Sequence, residues 1–145
     1  MVGYSLGKKD INLFKKIVQN SFILSSITGL IISIIYFLIN NFVIELMSDI
    51  EEIRNLSSSY AVWLIIMPLI SSFCFQFDGI FIGVSQTKEL RNAMIFSVFC
   101  YLAISIFLTD LMGNTGVWIS LCIFMILRAL SLYYYMDRIY LRFNK

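Results

Sequence analysis

Four long apolar stretches divide this sequence, and they constrain its fold more than any other feature. They cover, approximately, residues 17–44, 59–84, 93–109 and 115–136. A helix that crosses a bilayer needs roughly 20 mostly apolar residues at about 1.5 Å of rise each. A helix on the surface of a soluble core shows a polar face instead, and these stretches are apolar nearly all round. The sequence therefore predicts an all-α fold, a polytopic membrane helical bundle with four transmembrane helices.

The composition agrees with a membrane protein. Hydrophobic residues make up 59% of the 145 residues and charged residues 14%, whereas soluble domains average roughly 45–50% and about 25%. A soluble domain of this length could not bury so much apolar surface, because its ratio of surface to volume is too high. There is no basic stripe with interleaved aromatic residues, so we expect no nucleic-acid partner.

Residues with metal-binding or catalytic chemistry are sparse. The cysteines, Cys74, Cys100 and Cys122, lie inside apolar stretches without CxxC spacing, and the chain has no histidine. That pattern favours buried cysteines over a zinc site. No nucleophile–base pair, phosphate-binding loop or paired carboxylate site is visible. We therefore predict that the chain is not an enzyme, and we expect no cofactor beyond a transported proton or sodium ion.

The basic residues are distributed unevenly between the two sides of the predicted bundle. Most of them flank the spans on one side, whereas the two opposite connections carry only Arg54. Those on the rich side are Lys8, Lys9, Lys15, Lys16, Lys88, Arg91, Arg138, Arg142 and Lys145. Short loops rich in lysine and arginine stay in the cytoplasm. The sequence therefore predicts a multi-pass protein of the plasma (inner) membrane, embedded in the lipid bilayer with both termini cytoplasmic.

The connections between the spans are short, and two of them carry local signals. In the longest, residues 45–58, Ser48 precedes an acidic stretch in the way that an N-cap precedes a helix. This connection predicts a short helix lying at the membrane interface. The last connection contains Gly113 and Asn114, which favour a tight turn.

Two ionisable residues, Asp78 and Arg128, lie inside the spans. A charge at membrane depth costs at least a few kcal/mol, so such a residue usually faces the bundle interior or water. Both spans run toward the cytoplasm, and the two residues lie at a similar depth, roughly 10–12 Å from that end. They are therefore predicted to be able to pair. In one interpretation Asp78 binds and releases a cation or proton during transport, with Arg128 as its intramembrane charge partner. In the other, the two form a static pair that joins two helices.

Other residues of the second span are candidates for packing or for lining a cavity. Gly79 and Gly83 have the small-xxx-small spacing that lets helices approach closely. Pro68 lies in the middle of the span and predicts a kink that frees a backbone carbonyl. We take Gln76, Gly79 and Pro68 as cavity-lining candidates, although residues of this kind also serve helix packing alone.

Several strings in the chain resemble one transporter family. Residues 77–94 read FDGIFIGVSQTKELRNAM, with an Asp-Gly, a later glycine, a threonine followed by a basic residue, and then Arg-Asn-x-Met. The opening VGYSLGKKD resembles a Val-Gly-x-x-Leu-Gly-x-x-Asp string. Features similar to a last helical hairpin are Gly113, Gly116, Trp118, Leu127 and Arg128. Together these strings resemble the multidrug and toxic compound extrusion (MATE) family, most of all its DNA-damage-inducible (DinF-type) branch.

The resemblance implies that the four spans are similar to helices nine to twelve of a twelve-helix transporter. It also implies a cation-coupled antiporter that uses protons or sodium to export organic cations and other drugs, which are small-molecule substrates. Asp78 matches, by its position in the tenth helix, the acid that sodium-coupled members use for cation binding, and is thus a metal ligand only if sodium is the coupling ion. DinF-type members have been argued to use protons and first-lobe residues instead.

The chain is much shorter than such a transporter, whose two six-helix lobes rock about a site between them. We therefore expect residues 1–145 to form a partial C-terminal lobe, as a fragment or split product whose partner is the missing N-terminal part. Residues 1–7 resemble the end of a preceding helix. Two alternatives stand beside this hypothesis: a small four-helix membrane scaffold or assembly protein, and a fragment of a lipid-linked sugar flippase. A flippase is expected to carry more basic residues within its spans than Arg128 alone.

Overall fold

The computed structural model describes residues 1–143 and contains five helices. In chain order they are α1 (Val2–Gly7), α2 (Ile11–Met47), α3 (Glu51–Gly83), α4 (Thr87–Met112) and α5 (Asn114–Phe143). The last four are each long and apolar enough to cross a membrane. The prediction of an all-α bundle with four such helices is confirmed. Of the basic residues in the sequence, Lys145 lies outside the described residues.

The helices are longer than the apolar stretches that predicted them. At the start of α2, the side chain of Asp10 accepts a hydrogen bond of 2.9 Å from the backbone N–H of Leu13, so the helix begins six residues before its apolar run. Hydrophobicity marks the part of a helix that fits the bilayer, whereas backbone hydrogen bonds continue as far as a cap allows. The helix ends therefore lie outside the spans predicted from hydrophobicity, except that α3 ends at Gly83, one residue inside its predicted span.

The predicted interfacial helix between the first two spans is wrong. Ser48 is the C-cap of α2, and Ile50 is the N-cap of α3. The hydroxyl of Ser48 accepts a hydrogen bond of 3.2 Å from the backbone N–H of Ile50, so it orders the turn between the helices. The acidic residues Glu51 and Glu52 do occupy a first helical turn. That turn continues directly into the long helix α3, because nothing interrupts its backbone hydrogen bonding before the apolar run.

The connection between α4 and α5 is a single residue, Gly113. Its backbone has φ of 60° and ψ of −137°, a combination essentially restricted to glycine because a Cβ would clash there. The tight turn predicted at this place is therefore present. Its second predicted member, Asn114, is instead the first residue of α5.

Two antiparallel hairpins, α2 with α3 and α4 with α5, make up the bundle, and α3 packs against α5 to join them. Small residues lie where backbones come closest. A Cβ on Gly29 would lie 2.9 Å from the Ser72 hydroxyl, and a Cβ on Gly116 would overlap the Leu108 carbonyl. The Ser25 hydroxyl also donates a 2.9 Å hydrogen bond to the Ser72 carbonyl across the first hairpin. Close contacts through small and hydroxyl-bearing residues are typical of helices that pack inside membranes.

The best-packed region lies at one end of the bundle, where α2 and α4 begin and α3 and α5 end. Its buried core consists of Phe14, Ile80, Phe81, Val84, Ala93, Leu132, Met136, Ile139 and Phe143. Away from this end, large apolar side chains face outward: Phe37 is 68% exposed, Leu38 72% and Phe99 70%. Soluble monomers rarely expose apolar surface on this scale, so we assign this outer surface to lipid contact.

Nearly all of the described basic residues gather at the well-packed end, which we call the basic end. They are Lys8, Lys9, Lys15, Lys16, Lys88, Arg91, Arg138 and Arg142. Here Arg142 donates a 3.3 Å hydrogen bond to the Val84 carbonyl at the end of α3. Arg54 lies at the opposite end, where its Nε donates a 2.6 Å hydrogen bond to the Ser48 carbonyl. The basic residues, which are unevenly distributed along the sequence, are therefore also unevenly distributed between the two ends of the bundle.

Candidate intramembrane ion-pair site

Asp78 on α3 and Arg128 on α5 form an ion pair between two of the long apolar helices. The Nη2 of Arg128 lies 2.9 Å from the Oδ2 of Asp78, and the two side chains are 13% and 14% exposed, respectively. Opposite charges this close, and largely shielded from water, attract each other more strongly than an exposed surface pair does. The pairing expected from the similar depth of the two residues is therefore present, and it connects the two hairpins.

The pair does not use all of its hydrogen-bonding atoms. Asp78 Oδ1 and Arg128 Nε are both buried and have no hydrogen-bond partner among the described residues. A buried polar atom without a partner costs about 1–3 kcal/mol, and more when the group is charged. The second carboxylate oxygen therefore has no hydrogen-bond donor among the described residues.

Cys74 lies one helical turn before Asp78 on α3 and is completely buried. Cys122 on α5 is buried as well, and Cys100 is partly exposed. Within residues 1–143, no three or more Cys, Asp or Glu side chains converge on a place that could hold a metal ion. Full burial is typical of a free cysteine that packs as a small apolar residue.

The other candidates from the sequence lie on the same helix as Asp78, and none is a member of the ion pair. Gln76 and Pro68 both line a cleft of about 400 Å³ between α2 and α3, together with Thr28, whereas Asp78 faces α5. The helix α3 runs through Pro68 without interruption. Gly79 has an exposed backbone, with no atom within 4 Å of where its Cβ would stand. The structure thus brings Gln76 and Pro68 together and leaves Gly79 apart, and their roles remain predictions.

The sequence did not predict one feature, a cleft of about 510 Å³ that is lined by residues of α2, α3 and α5 and includes the exposed Asp137. The sequence feature that could have indicated it is a helical spacing of i, i+3, i+4 and i+7, shown by Tyr133, Met136, Asp137 and Tyr140. Residues so spaced share one face of a helix.

Comparison with known proteins identifies the family. The model of the MatE family matches residues 1–111. The DNA damage-inducible protein F of Escherichia coli (strain K12) is 32% identical over 108 residues, which are 74% of this chain and 23% of that protein. The chain thus spans about a quarter of the length of this relative. No solved structure matches. The matched segment includes Asp78, and Arg128 follows it. The chain therefore belongs to the MatE, or multidrug and toxic compound extrusion, family of membrane transporters.

Proposed function

We propose that this chain forms part of a cation-coupled efflux antiporter, in which Asp78 takes up and releases the coupling ion. While no coupling ion is bound, the carboxylate of Asp78 is paired with Arg128. The observation that carries the proposal is the ion pair between α3 and α5, in which one carboxylate oxygen binds the guanidinium and the other has no described partner.

The energetics of the pair explain how it can act as a switch. Separated charges at membrane depth are costly, and the pair offsets part of that cost while it is closed. When a proton or sodium ion binds to Asp78, the carboxylate loses its charge or shares it, and its attraction to Arg128 falls. Since the pair joins α3 to α5, ion binding would then loosen one hairpin against the other. A contact with two states of this kind is what an alternating transporter requires.

The family supplies the rest of the proposal. The substrates would be organic cations and other drugs, and the coupling ion would be a proton or sodium. Alternating access requires two halves that move about a site between them, so the described helices would work together with the remaining part of a longer transporter. The basic end would face the cytoplasm, in agreement with the positive-inside rule, and the protein would lie in the inner membrane.

The test is gradient-driven transport of ethidium, an aromatic organic cation. The whole gene product is expressed in cells that lack their other drug exporters, and everted membrane vesicles are prepared from them. Ethidium accumulation in the vesicles is measured with a pH gradient and, separately, with a sodium gradient. Asp78→Asn keeps the shape of the side chain but removes its charge, so we expect gradient-driven ethidium transport to be lost. The matched control is Asp110→Asn, which removes an exposed carboxylate at the end of α4 and should transport normally.

Two outcomes would refute the proposed function. Normal gradient-driven transport by Asp78→Asn would show that this carboxylate does not bind the coupling ion. Equal ethidium accumulation with and without either gradient would show that the protein is not a coupled exporter. If both gradients are tested, the one that drives transport identifies the coupling ion.

A further inference from the structure

A groove of about 370 Å³ runs between the first turns of α4 and the second half of α5. We call it the α4–α5 groove. Its large apolar side chains are open to the surroundings, since Phe96 is 54% exposed and Leu130 58%. Its polar side chains include Asn92 and Ser131, and Tyr135 is the lining residue nearest to the end of α5. Among residues 1–143 nothing covers this groove, so lipid can reach it.

Both walls of the α4–α5 groove continue to a basic residue at the basic end. On α4, Lys88 precedes the lining residue Phe96 by eight residues, and on α5, Arg138 follows the lining residue Leu127 by eleven. These spacings are close to two and three helical turns, so each basic residue lies on the same side of its helix as the groove. The distance from Leu127 to Arg138 is about 16 Å along the helix, roughly half of the hydrocarbon core of a bilayer. The groove therefore has the depth of one lipid leaflet.

Arg138 is held at the mouth of the α4–α5 groove by two contacts. Its guanidinium carbon lies 5.1 Å from the centroid of the Tyr135 ring. Its Nη1 donates a hydrogen bond of 3.4 Å to the Oε1 of Glu89 on α4. The Arg138 side chain is nevertheless 61% exposed, whereas that of Glu89 is 16% exposed. The mouth thus presents an ordered guanidinium with much of its surface accessible.

Basic residues outnumber acidic residues around this mouth. The basic ones are Lys88, Arg91, Arg138 and Arg142, all exposed. The acidic ones are Glu89, which contacts Arg138, and Asp137, which lines the separate cleft beside α2. Within residues 1–143, Lys88 forms no ion pair within 4.0 Å. An anion at the mouth would therefore meet a net positive charge.

We propose that the α4–α5 groove is a binding site for an anionic phospholipid. The lipid phosphate lies between Lys88 and Arg138, and one acyl chain lies along Phe96, Leu127 and Leu130. Basic pockets between membrane helices bind anionic headgroups, and each lysine or arginine near the surface adds to the attraction. A zwitterionic phospholipid carries an ammonium group that the same residues repel. The site needs neither Asp78 nor transport, so it stands apart from the proposed function.

Native mass spectrometry of the whole gene product, released from detergent micelles, counts the lipids that stay bound. Phosphatidylglycerol and phosphatidylcholine with the same acyl chains are titrated separately. We expect the first phosphatidylglycerol to bind more tightly than the first phosphatidylcholine. Lys88→Gln and Arg138→Gln should each weaken phosphatidylglycerol binding about three- to tenfold and leave phosphatidylcholine binding unchanged.

The matched control is Lys15→Gln. Lys15 is an exposed residue of α2 at the same basic end, and it does not line the groove. This variant loses the same charge, so it should bind phosphatidylglycerol as the unchanged protein does. Glycerol 1-phosphate, which has the phosphate but no acyl chain, should not displace the bound lipid.

Two further variants test the competing acid and the groove itself. Glu89→Gln removes the carboxylate that shares Arg138, so phosphatidylglycerol should bind at least as tightly as to the unchanged protein. Ser131→Phe fills the groove and leaves every charge in place, so phosphatidylglycerol binding should weaken. Folding of each variant is checked by its helical circular dichroism and its elution as a single species.

Equal affinity for the two lipids would overturn the proposal. A loss in Lys15→Gln as large as that in Lys88→Gln would also overturn it, because the attraction would then belong to the basic end as a whole. Unchanged binding by folded Lys88→Gln and Arg138→Gln variants would show that lipid does not occupy the groove, as when another helix of the transporter covers it. Displacement by glycerol 1-phosphate would replace the lipid site with a site for free phosphate.

Discussion

Two glycines in these helices have opposite surroundings, although both lie within long helices. A Cβ on Gly116 would overlap the backbone carbonyl of Leu108 across the α4–α5 turn, whereas a Cβ on Gly79 would meet nothing within 4 Å. We expect Gly116→Ala to lower the free energy of unfolding by about 1–3 kcal/mol, because the hairpin must open to admit the methyl group. Gly79→Ala should be neutral or stabilise by up to about 1 kcal/mol, because alanine favours a helix.

Unfolding in mixed detergent micelles, followed by circular dichroism, measures both glycine variants against the unchanged protein. Because the two substitutions add the same methyl group inside helices, their difference reports only the local packing. A loss of stability in Gly79→Ala equal to that in Gly116→Ala would contradict the description of the α4–α5 turn as the closer contact.

For the ionisable residues inside the spans, the sequence predicted that Asp78 and Arg128 are able to pair, but not which of their atoms make the contact. Counting residues from the ends of the spans placed Asp78 and Arg128 at a similar depth, and the structure pairs them. The unpaired second oxygen of Asp78 depends on the angle at which α5 crosses α3, and residue spacing along one helix does not contain that angle. The cleft beside Asp137 was not predicted because it is formed by side chains from three separate helices.

Among the elements, α2 and α3 are joined at mid-height by a hydrogen bond between helices. The hydroxyl of Ser25 donates to the carbonyl of Ser72 on α3, whereas the hydroxyl of the next residue, Ser26, donates to Phe22 within its own helix. Bonds between membrane helices contribute on average about 0.6 kcal/mol, and up to about 1.7. We therefore expect Ser25→Ala to destabilise the protein by about 0.5–1.5 kcal/mol.

The control for Ser25→Ala is Ser26→Ala, which loses a bond inside its own helix and should change stability by less. Both are measured by the same micelle unfolding experiment. If Ser26→Ala is the more destabilising of the two, the hydrogen bond between Ser25 and Ser72 does not stabilise the α2–α3 hairpin.

Helix number was easier to predict than helix ends. The apolar runs identified all four long helices because length and hydrophobicity are what the bilayer requires. The ends depend on single capping contacts, and Ser48 shows the difficulty. A serine before acidic residues fits the start of a helix, but here its hydroxyl binds the backbone of Ile50 and ends the preceding helix instead. Gly113 was predictable because its backbone conformation is restricted to one residue type.

For the whole molecule, the collection of basic residues at one end leads to a test of orientation. The three native cysteines are replaced by serine or alanine, and single cysteines are introduced at Asn55, near the start of α3, or Thr87, at the start of α4. Both positions are exposed. The positive-inside rule predicts that a membrane-impermeant maleimide labels Asn55→Cys in intact cells, and Thr87→Cys only after the cells are permeabilised.

The reverse labelling pattern would place the basic end outside the cell and contradict the orientation predicted by the positive-inside rule. Labelling of both positions in intact cells would be incompatible with helices that cross the membrane between them. A shared reference for both variants is the labelling obtained after full solubilisation in detergent, which measures the reactivity of each cysteine without a membrane barrier.

The two hairpins meet mainly where α3 packs against α5, and the Asp78–Arg128 pair lies in that contact. A transporter has to change such a contact during its cycle, whereas a scaffold has to keep it. The chain spans only about a quarter of the relative it matches, so its movement would be coupled to further helices. The central question is therefore whether the charges of this pair hold the helices together or also exchange an ion.

Exchanging the two charges, Asp78→Arg together with Arg128→Asp, separates these possibilities. Each single variant leaves a buried charge without its partner and should be strongly destabilised, while the double variant can form the pair again. The account predicts that the double variant recovers its membrane level and its stability but has no gradient-driven ethidium export, because the ion-binding carboxylate has moved to another helix. Full recovery of gradient-driven export by the double variant would contradict it.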